Sequence, residues 1–495
     1  MGFLTGVYNG DNAVYIDSAG NLQNVVTVLG VNMDRDMDWE TTGFNGSLHT
    51  SINPSLGTYT INSLKISGGR LSIAAGTKLE ITSGSIIING SGWMSAVSSN
   101  YGSVTSGLWN ADKGTYDLYV TNFSVSTPTG TLHWNHIQTG LADNDSGKMS
   151  FIYSGGPNSL PLTLSAQPKT YTGDTIVTSG TLIVAHEGNA SPQYEVADGA
   201  ILRLGGRTPR TYTTIDNEPG NISVITGGVL GTGTVYLGHG RSTDTNQGSV
   251  TLDGTNFTHD GSTLTEVTMQ GPNVTLTGDT ILQATTVTLG NPNVGTMPVN
   301  QIGQYGGYGT TTLTGDAYLK AGTLQKAGNL SSLFNFIGGT LTVDNVTFAL
   351  DQNGGILAPG GIGFAGTTSI TGDYSITAGT IQMEIFSDIL WDTLFASDNI
   401  TLAPGVLDVL LLCDSLTEGD TFQLFTTTDN MFPWESDMLS AASREYWDVT
   451  RNPGEIIYRG GLTPSGGDDV PEPATWALML LGGAAMVGMR LRRRK

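Results

Sequence analysis

A repeated pattern of glycine corners constrains this chain more than any other feature of its sequence. The tripeptide Thr-Gly-Asp occurs at four places, and its glycine is followed seven residues later by a second turn position and a short apolar run. The four copies span residues 171–184, 276–289, 313–324 and 370–381, and a weaker copy spans 67–79. A fixed offset at several places indicates one structural unit used repeatedly.

Each copy is interpreted as a corner, a short strand, a second corner and another strand. Glycine supplies positive φ at the corners, and the adjacent Asp or Asn caps the turn. Alternating Thr and aliphatic residues give each strand an inward and an outward face. The separations between copies fit multiples of roughly 18 to 21 residues, about one coil of a β-solenoid. One coil cannot bury its own apolar face, so stacked coils with parallel strand pairing are predicted.

Composition supports an all-β fold and excludes other classes. Gly accounts for 69 of the 495 residues and only 13% are charged, whereas disordered chains are rich in charge and poor in apolar residues. Stretches rich in Ala, Glu, Lys or Arg are missing, which excludes a helix-rich fold. Residues 1–470 hold 16 basic and 42 acidic side chains, a net charge of −26 that repels nucleic acid. The one cysteine, Cys413, lies in an apolar run and is expected to be buried.

The segment 171–184 resembles the autotransporter-associated β-strand repeat, and so do 354–360 and 370–381. That family builds right-handed parallel β-helices in secreted passenger domains. The resemblance therefore implies a right-handed parallel β-helix for the body of this chain.

The character of the chain changes after residue 385, where tryptophans and a continuous apolar run appear. A solenoid needs its last coil covered to avoid an open edge, so a terminal coil and cap are expected there. The expected organisation is N-terminal β-solenoid coils over 1–165, coils with autotransporter-associated repeats over 166–385, the cap over 386–462, a flexible linker over 463–469 and a sorting segment over 470–495.

The most specific signal lies at the C-terminus, over residues 470–495. An uncharged apolar stretch over 475–489 separates two short motifs. Before it stand Val470, Pro471, Glu472, Pro473 and Ala474, and after it stand Arg490, Arg492, Arg493, Arg494 and Lys495. A helix over the apolar stretch would cross a membrane, with the basic cluster as its cytoplasmic stop. We therefore predict a single C-terminal transmembrane helix, with residues 1–470 facing away from the cytoplasm.

This three-part tail resembles the PEP-CTERM sorting signal of Gram-negative bacteria, whose Pro-Glu-Pro motif matches residues 471–473. The resemblance implies an exosortase-like membrane protease as partner, transient anchoring in the inner membrane, and delivery to the cell surface or extracellular matrix. An ordinary tail anchor is the alternative. Export by this route needs an N-terminal signal peptide. The first basic residue is Arg35, so we expect the true start of the protein to lie upstream.

Candidate residues for chemistry are few. Four carboxylates would share one face of a strand and form a weak calcium candidate, although a solvated loop fits them better: Asp34, Asp36, Asp38 and Glu40. A second acidic turn, over 143–147, is a weaker candidate still. His133 and His136 lie on opposite faces of a strand-like stretch, so they are not expected to share a metal.

These observations favour an exported structural or adhesive protein of the cell surface, with exopolysaccharide as a further expected partner. No catalytic motif, cofactor site or metal site is predicted. The alternatives are a carbohydrate-active β-helix enzyme, such as a polysaccharide lyase or hydrolase, and a calcium-stabilised adhesin. An enzyme would place clustered Asp or Glu in a groove, brought together by stacked coils.

Overall fold

A computed structural model gives the structure of the chain, whose described residues are almost all in strands and the turns between them. The structure describes residues 14–16, 22–24, 49–52, 58–66, 69–73, 76, 78–88, 92–96, 102–124, 135–164, 169–184, 193–204, 228–238, 250–254, 263–270, 273–290, 309–327, 332–413, 416–429 and 432–461.

The strands are short, and tight turns join many of them. Up to residue 313 they are β1 (Val14–Ile16), β2 (Leu22–Asn24), β3 (His49–Ile52), β4 (Thr58–Ile66), β5 (Gly69–Ile73), β6 (Lys78–Ile88), β7 (Gly92–Ala96), β8 (Ser103–Ser106), β9 (Trp109–Asn110), β10 (Thr115–Asn122), β11 (Asn135–Ile137), β12 (Gly140–Leu141), β13 (Met149–Gly155), β14 (Leu162–Leu164), β15 (Thr175–Ser179), β16 (Thr181–Val184), β17 (Gln193–Val196), β18 (Ile201–Leu204), β19 (Gly228–Gly231), β20 (Thr234–Leu237), β21 (Val250–Asp253), β22 (Leu264–Met269), β23 (Asn273–Thr277), β24 (Ile281–Leu289) and β25 (Thr310–Leu313).

From residue 318 the strands are β26 (Tyr318–Lys326), β27 (Leu333–Phe336), β28 (Thr340–Val346), β29 (Leu350–Leu357), β30 (Thr367–Ile370), β31 (Tyr374–Ser387), β32 (Leu390–Trp391), β33 (Thr393–Ala396), β34 (Ile400–Leu402), β35 (Leu407–Leu411), β36 (Thr421–Gln423), β37 (Phe425–Thr427), β38 (Trp447–Val449) and β39 (Glu455–Tyr458). Two short 3₁₀ helices, Ser436–Met438 and Ser443–Glu445, precede β38.

The strands form two compact units. Unit 1 comprises Met1–Phe257, Thr263–Thr312 and Lys326–Phe334, and unit 2 comprises the remaining residues. In unit 1, one sheet stacks β6, β10, β13, β15, β17 and β19 in parallel. Another stacks β11, β14, β16, β18, β20, β22 and β24 in parallel. The prediction of an all-β chain with mostly parallel strands in long sheets is confirmed, and this is the pairing expected of a β-helix.

Inward-facing aliphatic residues stack in columns and form the core of unit 1. One column passes through five successive strands, and every member is fully buried: Leu182, Leu202, Val235, Val267 and Val287. Burying each such side chain stabilises the fold by about 1.5 to 3 kcal/mol relative to its exposure to water. The alternation of Thr and aliphatic residues in the sequence therefore produces the core directly.

Coil length varies more than the sequence predicts. Val267 pairs with Val287 at the predicted spacing, whereas Tyr194 pairs with Val229, which lies much further along the chain. In unit 2 the paired residues of β29, β31 and β34 are also further apart in sequence than the predicted repeat. The expected repeat of roughly 18 to 21 residues is therefore wrong as a general rule. Loops of different length join the strands, and only the strands themselves keep register.

The predicted corners are found at some copies of the repeat and not at others: Gly180 has positive φ between β15 and β16, as predicted for a second corner, whereas Gly173 lacks the positive φ predicted for a first corner. Gly278 and Gly372 have positive φ and lie in turns between strands. Gly379 also has positive φ but lies inside β31, which continues through it. A Cβ at Gly379 would come within 2.5 Å of the carbonyl oxygen of Gly355, so glycine is needed for close approach of neighbouring coils. The predicted second corner is thus a bend within one strand at this copy.

In unit 2 the last parallel strands meet an antiparallel sheet. Strands β36 and β38 pair antiparallel with β39. Trp447 on β38 is 1% exposed, and its ring packs edge-on against Phe422 at 5.8 Å. The 3₁₀ helices lie against β35, where Leu407 accepts a hydrogen bond from the backbone of Ser440 and the hydroxyl of Ser443 accepts one from the backbone of Val409. These contacts satisfy backbone groups that an open strand edge would leave unpaired.

Candidate functional site

Most residues singled out in the sequence lie outside the described residues. These are the sorting residues 470–474, the basic cluster 490–495, the calcium candidates 34–40, and His133. The predicted transmembrane stretch 475–489 lies outside them as well. Within the part of the chain that the structure describes, no helix is long and apolar enough to cross a membrane.

The sequence candidates that are described take part in packing and turns. His136 lies on β11 and is 3% exposed, and burial lowers its pKa to about 4. Asp143 accepts backbone N–H bonds from Met149 and Thr172, each at 2.8 Å, and so braces its turn. Cys413 is half-buried where a buried position was expected, because β35 ends two residues before it. Over the ranges that the structure covers, no group of three or more His, Cys, Asp or Glu residues is arranged to hold a metal ion.

Unit 2 contains a polar groove of about 360 Å³ that the sequence did not reveal. Asp351 on β29, Ser375 on β31 and Thr401 on β34 pair in succession, so side chains from three successive strands line it. Asp373 and Asn399 line it from the corners that precede β31 and β34. On each of these strands the preceding residue is buried: Leu350 on β29, Tyr374 on β31 and Ile400 on β34. Their packing holds the three strands in position.

The two carboxylates of the groove are oriented by local hydrogen bonds. Asp373 Oδ1 accepts from the backbone N–H of Asn399 at 2.9 Å and from its side-chain amide at 3.0 Å. These donors hold the pKa of Asp373 below its usual value. Asp351 Oδ1 accepts from the hydroxyl of Ser375. Among the described residues, the Oδ2 atoms of Asp351 and Asp373 accept no hydrogen bond, so each remains available to a ligand.

An apolar wall closes one side of the groove. It consists of Phe432 and Pro433, which follow the last coil of unit 2. The Phe432 ring packs edge-on against Trp434 at 5.9 Å, and the Trp434 indole N–H donates to the backbone oxygen of Glu455 at 2.9 Å. The wall is therefore held by the antiparallel sheet through β39. Acceptor oxygens opposite a fixed apolar surface suit a ligand with several hydroxyl donors and an apolar face.

A second polar feature of unit 2 is a buried pair of carboxylates. Asp392 accepts the N–H groups of Gly366 at 2.8 Å and of Glu384 at 2.9 Å, and Glu384 accepts the N–H of Gly363 at 2.7 Å. Burial raises the pKa of Asp392 to about 7; the nearby charge of Glu384 adds to the rise, and the two N–H donors oppose it. Burial likewise raises the pKa of Glu384. The pair joins the glycine-rich loop that contains Gly363 and Gly366 to β31. The raised pKa values make the stability of unit 2 depend on pH.

Sequence reasoning missed both features because their residues are not neighbours in any local motif. The members of the groove row are each separated by a whole coil. The Thr-Gly-Asp copy that contains Asp373 marks the correct corner, but not what stands one coil before or after it. The groove can be identified only from the register of β29, β31 and β34, which the sequence does not state.

The comparison with protein families bears on the tail of the chain. Residues 469–495 match the PEP-CTERM protein-sorting motif. No curated protein and no solved structure matches the chain. The motif implies export and processing by an exosortase-type system, with a C-terminal membrane-anchoring sorting signal. The chain thus carries, at residues 469–495, the PEP-CTERM sorting motif behind a body of parallel β-strands.

Proposed function

We propose that the protein is a right-handed parallel β-helix with a structural or adhesive role at the bacterial cell surface or in the extracellular matrix. The observation that carries this proposal is a PEP-CTERM motif placed behind stacked parallel strands. Such strands present outward polar side chains in register, as where the hydroxyls of Thr367 and Thr393 hydrogen-bond at 2.8 Å. A surface of this kind offers repeated polar contacts to a polymer. The apolar stretch 475–489 would anchor the chain in the inner membrane until an exosortase-like protease releases it.

Mutation of the motif tests the proposed route. The double variant Pro471→Ala, Pro473→Ala should be retained in the inner membrane of a Gram-negative host that has an exosortase. The unaltered chain should appear outside the cell with a shortened C-terminus. Fractionation with immunoblotting and intact mass measurement distinguishes the two. Pro404→Ala, at an exposed turn of unit 2, serves as a matched control and should be exported like the unaltered chain. Normal processing of the double variant would contradict the proposal.

A carbohydrate-active enzyme is the second candidate, and the two carboxylates of the groove favour it. Glycoside hydrolysis requires one carboxylic acid that retains its proton near neutral pH. The lowered pKa of Asp373 instead supports a carboxylate that accepts hydrogen bonds. We propose a non-catalytic protein that needs no cofactor. Release of new reducing ends from a polysaccharide, lost in Asp373→Asn, would favour the enzyme.

A further inference from the structure

We propose that the groove lined by Asp351, Asp373 and Thr401 binds an uncharged segment of a polysaccharide chain. This inference rests on the proposed function, since it names the ligand through which the exported body would adhere. It begins from the position of the groove on the outward faces of three hydrogen-bonded strands. A volume of about 360 Å³ lies within the usual range of ligand sites, roughly 300 to 1,000 Å³.

The polar lining is dominated by acceptors. Asp351 and Asp373 each offer an oxygen that no described residue uses, and the Asn399 side chain and Thr401 hydroxyl add further acceptors. Sugar hydroxyls are donors, and hydrogen bonds from hydroxyls to carboxylates are stronger than those between neutral groups. Local hydrogen bonds already orient both carboxylates, so little side-chain freedom is lost on binding.

The apolar wall distinguishes between ligands that need acceptor oxygens. A pyranose ring has a C–H face that can pack on the exposed ring of Pro433, which the buried Phe432 supports, while its hydroxyls reach the opposite side. A calcium ion prefers oxygen ligands and gains nothing from such a wall. An acidic sugar would meet two carboxylates and be repelled. The lining therefore selects for a neutral sugar.

The exposure of the lining points to a chain and not to a single enclosed sugar. Asp351, Asp373, Asn399 and Thr401 are all exposed. A polymer can therefore lie across the strands with one or two of its sugars packed against Pro433.

Calorimetric titration of the purified full chain in detergent tests this inference. The probes are cellohexaose, maltohexaose and chitohexaose, all uncharged, together with an oligogalacturonate of the same length and calcium alone. We expect at least one neutral hexasaccharide to bind, and the oligogalacturonate to bind at least about tenfold more weakly. Failure of all three neutral sugars to bind at about 1 mM overturns the inference.

Two arginine variants locate the binding. Thr401→Arg places a long side chain in the groove and should weaken binding at least about tenfold. Thr285→Arg makes the same change at an exposed strand position of β24, outside the groove, and should leave the dissociation constant within about twofold. Equal losses in both variants, or none in Thr401→Arg, overturn the inference. Calcium binding that Thr401→Arg abolishes, without sugar binding, would identify a cation site and also overturn it.

These results are separable from those that test the proposed function. Sugar binding in the groove with no effect of Pro471→Ala, Pro473→Ala on export would retain the ligand and refute the sorting route. Correct export with no sugar binding would retain the sorting route and refute the proposed ligand. Shortened oligosaccharides after incubation would keep the ligand class and replace the non-catalytic function with hydrolysis.

Discussion

Replacing Asp392 by Asn should change how the stability of unit 2 depends on pH. The pKa of Asp392 is about 7 in the folded chain, against 3.8 for a free side chain. Between these pH values the folded chain holds a proton that the unfolded chain has released. Stability is therefore highest below the unfolded value and is lost as pH rises toward 7. At about 1.4 kcal/mol for each pH unit, the loss is about 4 kcal/mol, or about 2 kcal/mol if water partly screens the pair.

The asparagine side chain of this variant cannot ionise, so the loss should be absent from it. We expect the free energy of unfolding of the unaltered chain, minus that of Asp392→Asn, to fall by about 2 to 4 kcal/mol between pH 4 and pH 8. Urea titrations followed by tryptophan fluorescence measure it, because Trp391 adjoins the site. Asp398→Asn, at an exposed position of the same unit, is the control and should show no such trend. A difference that stays constant over this pH range would refute the reasoning.

Three further perturbations probe packing in both units. His136→Leu should remove a pH dependence of opposite sign. The pKa of His136 is about 4 in the folded chain and 6.5 in the unfolded chain, so the unaltered chain loses up to about 3 kcal/mol of stability as pH falls through this window. The variant should not lose this stability. Gly173→Ala should destabilise unit 1 by more than about 2 kcal/mol in urea titrations, because the alanine Cβ would lie 2.3 Å from the carbonyl oxygen of Met149. Unchanged stability would show that the backbone can shift to make room for the Cβ. Trp447→Ala should cost about 3 to 5 kcal/mol and Trp447→Phe less, measured by thermal melting; equal melting temperatures for the two would contradict a packing role.

The fold could be predicted from the sequence to the extent that it depends on local chemistry. Thr-Gly-Asp corners such as the one at Gly372, and the alternation of Thr with aliphatic residues, follow from backbone and burial preferences within a few residues. Coil length could not be predicted, because the loops between strands are free to vary without disturbing register. The groove depends on that register. Glu384 and Asp392 escaped notice because a hairpin outside the repeat brings them together.

The parallel register of unit 2 also determines how the chain would carry a mechanical load. A pull applied at residue 461 reaches β39 first, so the antiparallel pairs with β36 and β38 must part before any coil is disturbed. Each coil then separates from the one before it in turn. Freeing the coil from Tyr374 to Ile400 lengthens the chain by about 90 Å. Tension would thus be dissipated in steps, coil by coil, and the strands nearer the N-terminus would keep their pairing until last.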